Sequence, residues 1–114
     1  MTMSPPLSKF RQAGDTFYLS GELGFTPEGG LAEGVALQTR VIIERITETL
    51  AGLDLGLADV VTATCYLAQA EDFAAFNEVY AEMFPSPYPA RTTVESRLML
   101  EDAKVEITVV AVKG

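Results

Sequence analysis

Lys104-Val105-Glu106-Ile107-Thr108-Val109-Val110-Ala111-Val112 decides the fold. Its β-branched residues and period of two mark a strand. Val105, Ile107, Val109 and Ala111 share one face, and Glu106, Thr108, Val110 and Val112 share the other. Both faces are largely apolar, the pattern of a strand covered on both sides. Upstream, Arg91–Leu98 reads as another strand, and Glu101-Asp102-Ala103 turns the chain between the two, suggesting a hairpin. Earlier still, residues 59–68 form a β-prone run with Val61, Ala63, Cys65 and Leu67 on one face and Val60, Thr62, Thr64 and Tyr66 on the other.

Two stretches have helical period. Over 33–52, Val35, Ile42, Ile46, Leu50 and Leu53 make an apolar face, with Gln38, Arg40, Glu44, Arg45, Thr47 and Glu48 filling much of the rest. Gly52 and Gly56 punctuate its end. Over 71–84, Phe73, Phe76, Tyr80 and Phe84 share a face, Glu71 and Asp72 suit the first turn, and Pro85, Pro87 and Pro89 follow as a stop. At the start, residues 1–7 form a loose lead-in. Ser8–Gln12, the turn Ala13-Gly14-Asp15 and Thr16–Ser20 then read as a β-hairpin.

The element order is β-β-α-β-α-β-β. It predicts one α+β domain over 1–114, a mixed sheet with two helices packed on one face. No element remains to cover the second apolar sheet face, so another subunit is the economical cover. A mean hydropathy of +0.21 agrees with apolar surface buried between subunits.

Composition excludes several chemistries. The 114 residues contain no histidine and one cysteine, Cys65. Imidazole-based nucleophilic systems are therefore absent, and a zinc or copper site has no ordinary ligand set. Catalysis must use carboxylates, arginine, hydroxyls, backbone groups and water, with no metal or organic cofactor expected. A net charge of −8 with only eight scattered basic residues gives no footprint for nucleic acid. No apolar run approaches the ~20 residues of a membrane span. The unpaired cysteine and the absence of signal-peptide features set a cytoplasmic location as the expectation.

Arg91 opens a strand after the proline-rich loop, and its planar fork suits a carboxylate. An arginine at a strand start is also commonly a solvated or structurally paired residue. Glu106 interrupts an apolar strand. It is either a structural ion pair, with Arg97 or Lys104, or a carboxylate orienting water in a pocket. Thr92 and Thr93 offer hydroxyls beside Arg91. Asn77 either cross-links backbone or reaches a ligand. Cys65 reads as a small buried hydrophobe. Gly21, Gly24, Gly29 and Gly30 do not form a dinucleotide-binding fingerprint.

Several ordered motifs together resemble the RidA/YjgF family. They are Gly14-Asp15-Thr16-Phe17-Tyr18-Leu19-Ser20-Gly21-Glu22-Leu23-Gly24, then Ala36-Leu37-Gln38-Thr39-Arg40, then the helix Glu71–Tyr80, then Pro89-Ala90-Arg91-Thr92-Thr93-Val94-Glu95, and finally Lys104-Val105-Glu106-Ile107. The resemblance runs from about residue 8 to the C-terminus. It implies a chorismate-mutase-like fold and a homotrimer with ligand sites between subunits. It also implies hydrolytic deamination of reactive 2-imino and enamine acids, such as 2-aminoacrylate and 2-iminobutanoate, to 2-oxo acids and ammonia.

By position, Arg91 matches the family's carboxylate-binding arginine and Glu106 the glutamate that positions water. Ser20, Gly21, Asn77 and Thr92 match pocket-lining positions, and Thr93 stands where many members have Cys. Many active members carry a Pro-Tyr pair near the N-terminal strand. Here the pair is Pro6-Leu7, with Tyr88 in the proline loop as a possible substitute. The alternatives are a non-catalytic trimer that binds small carboxylate metabolites and, more weakly, a ribonuclease or translation inhibitor.

Overall fold

Gly14, at φ +59°, makes the first reversal in a left-handed conformation that costs a glycine little. It joins β1 (Phe10–Ala13) to β2 (Thr16–Leu19) in the expected antiparallel hairpin. The computed structural model describes residues 5–114; of the lead-in, residues 1–4 lie outside the described residues, and Pro5–Leu7 are exposed and irregular. A short β3 (Glu22–Leu23) precedes α1 (Gly34–Ala51). Then come β4 (Val60–Leu67), α2 (Phe73–Met83), β5 (Ala90–Glu95) and β6 (Val105–Val112). Residues Ala70–Asp72 are a 3-10 turn, so the second helix starts two residues later than its periodicity suggested. It stops at Phe84, which is extended (ψ 136°) because Pro85 disfavours a helical residue before it.

The sheet order is β1-β2-β6-β4-β5, with β3 also pairing β6. All pairs are antiparallel except β4–β5, which is parallel. The hairpin expected between the last two strands is therefore absent. β4 lies between β5 and β6, and α2 serves as the crossover that a parallel β4–β5 pair requires. β5 also ends at Glu95 rather than Leu98. Its partner β4 stops at Leu67, whose carbonyl accepts the last bond, from Ser96 N–H (2.8 Å).

Both helices cover one face. Ile42, Ile43, Ile46 and Leu50 of α1 and Phe76, Tyr80 and Phe84 near α2 are buried. They meet Ala63, Cys65, Leu67, Val105, Ile107, Val109, Ala111, Phe17 and Leu19 from the sheet. Two expectations fail for local reasons. A register irregularity between Val60 and Thr62 puts one extra residue in β4, which buries Val60 (5% exposed) and turns Val61 out (48%). Gln38 is buried rather than solvated because its amide is fully used. Nε2 donates to the Ala32 and Asp102 carbonyls (3.0 Å each) and Oε1 accepts from Lys104 N–H (2.7 Å). These bonds tie α1 to the entry of β6, the strand that carries Glu106.

The other sheet face is open in the single chain. Thr62, Thr64 and Tyr66 of β4 and Glu106, Thr108, Val110 and Val112 of β6 are only half-buried there, and Tyr18 and Val94 are exposed. The strand pattern implies an uncovered face here, and it mixes Tyr18, Val94, Val110 and Val112 with threonines and Glu106.

Candidate functional site

Arg91 lies level with Ala63 on the parallel β4–β5 ladder, so its side chain shares the helix-covered face. β5 is the sheet edge, and this lets a charged side chain sit half-buried there. The guanidinium carbon sits 4.8 Å from the Tyr80 ring centroid, 5.2 Å from Phe76 and 5.8 Å from Phe73. Arg91 Nη2 donates to Asn77 Oδ1 at 2.8 Å. The three rings and one amide bond hold the guanidinium without neutralising it. The ion pairs among the described residues are Lys9–Glu22, Arg45–Glu22 and Arg40–Glu82, and none involves Arg91. A half-buried cation with donors to spare and no counter-carboxylate is a ready anion site.

A cleft of about 340 Å³ opens beside it, lined by Asn77, Tyr80, Ala81, Tyr88, Pro89 and Arg91. Tyr88 stands in this cleft, its hydroxyl donating to the Ala81 carbonyl at 3.3 Å. Beneath Arg91 the polar groups are buried. The Tyr80 hydroxyl and Thr93 Oγ1 have no hydrogen-bond partner among the described residues. Burial pushes the Cys65 thiol up to about 11, against the opposing Arg91 charge and the neighbouring Thr93 hydroxyl, although that hydroxyl makes no well-aligned bond. Burial likewise pushes the Tyr80 phenol up to about 12, with Cys65 adding and Arg91 opposing. Cys65 is thus the inert core thiol its sequence setting suggested.

Glu106 sits on the opposite, open face. The register of β6 shifts by one residue between Tyr18↔Val110 and Glu22↔Ile107, across Ser20-Gly21. The shift turns Glu22 toward α1, where it accepts from Arg45 Nε (2.7 Å). It also leaves the Gly21 backbone against the Glu106 carboxylate, where a Cβ on Gly21 would overlap Oε2. Burial raises the Glu106 pKa above its ordinary 4.5. The carboxylate shares a small cavity with Tyr66, Ser96, Arg97, Leu98, Met99 and Thr108. The expected ion pair with Arg97 or Lys104 does not form among the described residues.

The structure therefore divides the candidate residues into two groups. Arg91, Asn77 and Thr93 gather under α2. Gly21 and Glu106 gather on the open face. Thr92 also points to the open face, level with Thr64 and Thr108. Ser20 lies at the register break, but its hydroxyl donates to the Ser8 carbonyl and tethers the N-terminal segment. Arg91 is level with Val109 through Ala63, two strands and three residues from Glu106. That is about 10 Å in each direction, with the side chains on opposite faces. One chain does not bring them together. Sequence reasoning missed the aromatic platform, because Phe73, Phe76 and Tyr80 at helical spacing read as core. The signal was Phe73, which falls on the exposed edge of that stripe (47%).

Fold and site together define a small α+β protein with an arginine unpaired among the described residues on one sheet face and a glutamate on the other. The chain belongs to the RidA/YjgF family, whose model, described as Endoribonuclease L-PSP, matches residues 2–113. It is 37% identical over 108 residues to the chloroplastic Reactive Intermediate Deaminase A of Arabidopsis thaliana, covering 93% of this chain and 58% of that longer one. It is 36% identical over 101 residues to the 2-iminobutanoate/2-iminopropanoate deaminase of Bos taurus, covering 87% and 74% respectively. The crystal structure of Escherichia coli TdcF with bound serine superposes with a TM-score of 0.91 at 26% identity, covering 98% of this chain and 91% of that one.

Proposed function

We propose that this protein hydrolyses reactive 2-imino acids and their enamine tautomers to 2-oxo acids and ammonia, as a homotrimer whose sites form between subunits. The observation that carries this is the Arg91 guanidinium, bonded to Asn77 and set over three rings, with no carboxylate partner among the described residues. Names of relatives point the same way, and TdcF holds serine, a small amino acid with the carboxylate this fork would take.

Arg91 binds the substrate carboxylate and presents the C=N carbon. Glu106 from the neighbouring subunit takes a proton from water, which adds to that carbon. Its buried setting makes it a stronger base than an exposed glutamate. The amine then takes a proton and leaves. The balance is R–C(=NH2+)–COO− plus water giving R–CO–COO− plus NH4+. Backbone groups at Ser20, Gly21 and Thr92 receive the nitrogen and the developing charge. The imine carbon is already electrophilic, so no electron sink is needed. With Arg91 and Glu106 on opposite faces, a shared site requires a second copy, and the open sheet face is the surface it would meet.

Arg91→Ala should abolish ammonia release from 2-aminoacrylate generated by a coupled pyridoxal-phosphate lyase. Near wild-type release would sink the assignment. Leu7, exposed where the family resemblance places a tyrosine in many active members, favours one other reading, a trimer that binds carboxylates without turnover. Ligand-induced thermal stabilisation of the wild-type protein with no ammonia release would establish it.

A further inference from the structure

We propose that the cleft between α2 and the proline loop is the side-chain subsite of the Arg91 centre. On this view the preferred substrates are 2-imino acids with bulky apolar side chains. The proposal rests on the reading that Arg91 holds a carboxylate.

The cleft is amphipathic along its length. Arg91 and Asn77 supply its polar groups, and Tyr80, which lies under Arg91, Ala81, Tyr88 and Pro89 form the rest of the wall. A ligand whose carboxylate meets the guanidinium has its α-carbon about one bond beyond, at the edge of this apolar stretch. Its volume of about 340 Å³ suits a branched or aromatic side chain and leaves a methyl group mostly unsupported.

Two features make it a built site. Tyr88 lies between Pro87 and Pro89, which restrict its backbone, and its hydroxyl bond to the Ala81 carbonyl holds the ring across the cleft. Tyr88 stays about half exposed (54%) among the described residues. At the inner end, Tyr80 is 4% exposed and its hydroxyl has no partner. The wall is therefore two tyrosine rings, one fixed by the core and one pinned by the loop, with Ala81 leaving room between them.

This specificity also constrains the source of the substrate. Leucine and phenylalanine carry no β-leaving group, so β-elimination cannot make their imines. They arise when the ammonium group loses a proton and Cα a hydride, the hydride passing to a two-electron acceptor such as a flavin or a nicotinamide, to give R–C(=NH2+)–COO−. The reaction upstream is then an oxidative one on a free amino acid.

The stable products provide a binding test that does not depend on turnover. Titration calorimetry of the full chain should show 4-methyl-2-oxopentanoate and phenylpyruvate binding at least about tenfold more tightly than pyruvate. Ala81→Leu, at an exposed helix position that leucine tolerates, should shrink that ratio by about tenfold, and Tyr88→Ala should shrink it as well. Pyruvate binding as tightly as the larger acids, or a ratio that neither variant moves, overturns the subsite.

Ammonia release is measured in parallel on imines made by an amino-acid oxidase from leucine, phenylalanine and alanine. The expected ranking in binding without turnover retains the cleft and removes the hydrolase reading. Turnover without a side-chain preference retains the hydrolase reading and removes the cleft.

Discussion

Gly21→Ala moves the Glu106 carboxylate while keeping the backbone groups of Gly21 in the site. Gly21 is not among the positive-φ residues, so alanine fits its backbone. The added methyl would overlap Glu106 Oε2, with Glu106 Cδ and Thr108 Oγ1 each 3.1 Å away. Glu106 is the flexible partner and gives way, so its carboxylate retreats by about 1 Å to reach van der Waals distance. A misplacement of that size lowers a positioned reaction by about 100-fold, or about 2.7 kcal/mol of transition-state stabilisation.

The substrate carboxylate still meets Arg91, so KM should stay within about threefold while kcat carries the loss. Stability should change by less than about 1 kcal/mol, because the alanine also reduces the freedom of the unfolded chain. Steady-state ammonia release from 2-iminobutanoate, with a thermal melt on the same sample, reads both quantities. A kcat within about threefold of wild type in a folded variant would refute the role of Glu106. So would a loss expressed only in KM.

Three further outcomes follow from the buried groups. Thr93→Val replaces a buried, unpartnered hydroxyl with a methyl of similar shape, so the melting temperature should rise, with about 1 kcal/mol of added stability in denaturant titration. Glu106→Gln should abolish turnover and raise the melting temperature at pH 7. The native pKa is raised, so the stability this glutamate contributes is present below its ordinary 4.5 and lost as pH rises through the native value. The gap between variant and wild type should therefore close in acid. Cys65, with its thiol near 11 and no exposure, should resist alkylation by iodoacetamide at pH 8 until the protein is unfolded; rapid labelling of the native protein would contradict its burial.

Much of the layer architecture was legible because period and punctuation agree locally. Gly14 closes the first hairpin, Ile42, Ile46 and Leu50 give α1 its buried face, and Val105–Ala111 alternates as a central strand does. Strand neighbours were not legible. Adjacency in the chain suggested a hairpin from β5 to β6, whereas β4 pairs with both. That arrangement depends on α2 crossing over the sheet, a long-range choice that no local turn signal encodes. The displaced Val60/Val61 pair and the buried Gln38 have the same origin, since a bulge and a three-bond amide exist only once partners are in place.

For the site, Arg91 and Glu106 stood out because each is a charge in an apolar or strand-edge setting. Their placement on opposite faces needed the register of two ladders. The platform of Phe73, Phe76 and Tyr80 needed Arg91 to reach across from β5.

The central claim is a site that takes Arg91 from one subunit and Glu106 from the next. Subunit mixing tests it most directly. Arg91→Ala and Glu106→Gln proteins, each inactive alone, are unfolded together in equal amounts, refolded, and assayed for ammonia release from 2-iminobutanoate. Random assembly pairs an intact Arg91 with an intact Glu106 across about a quarter of the interfaces, so activity should return to about a quarter of wild type. Mixed oligomers confirmed by native mass spectrometry that remain inactive would contradict it.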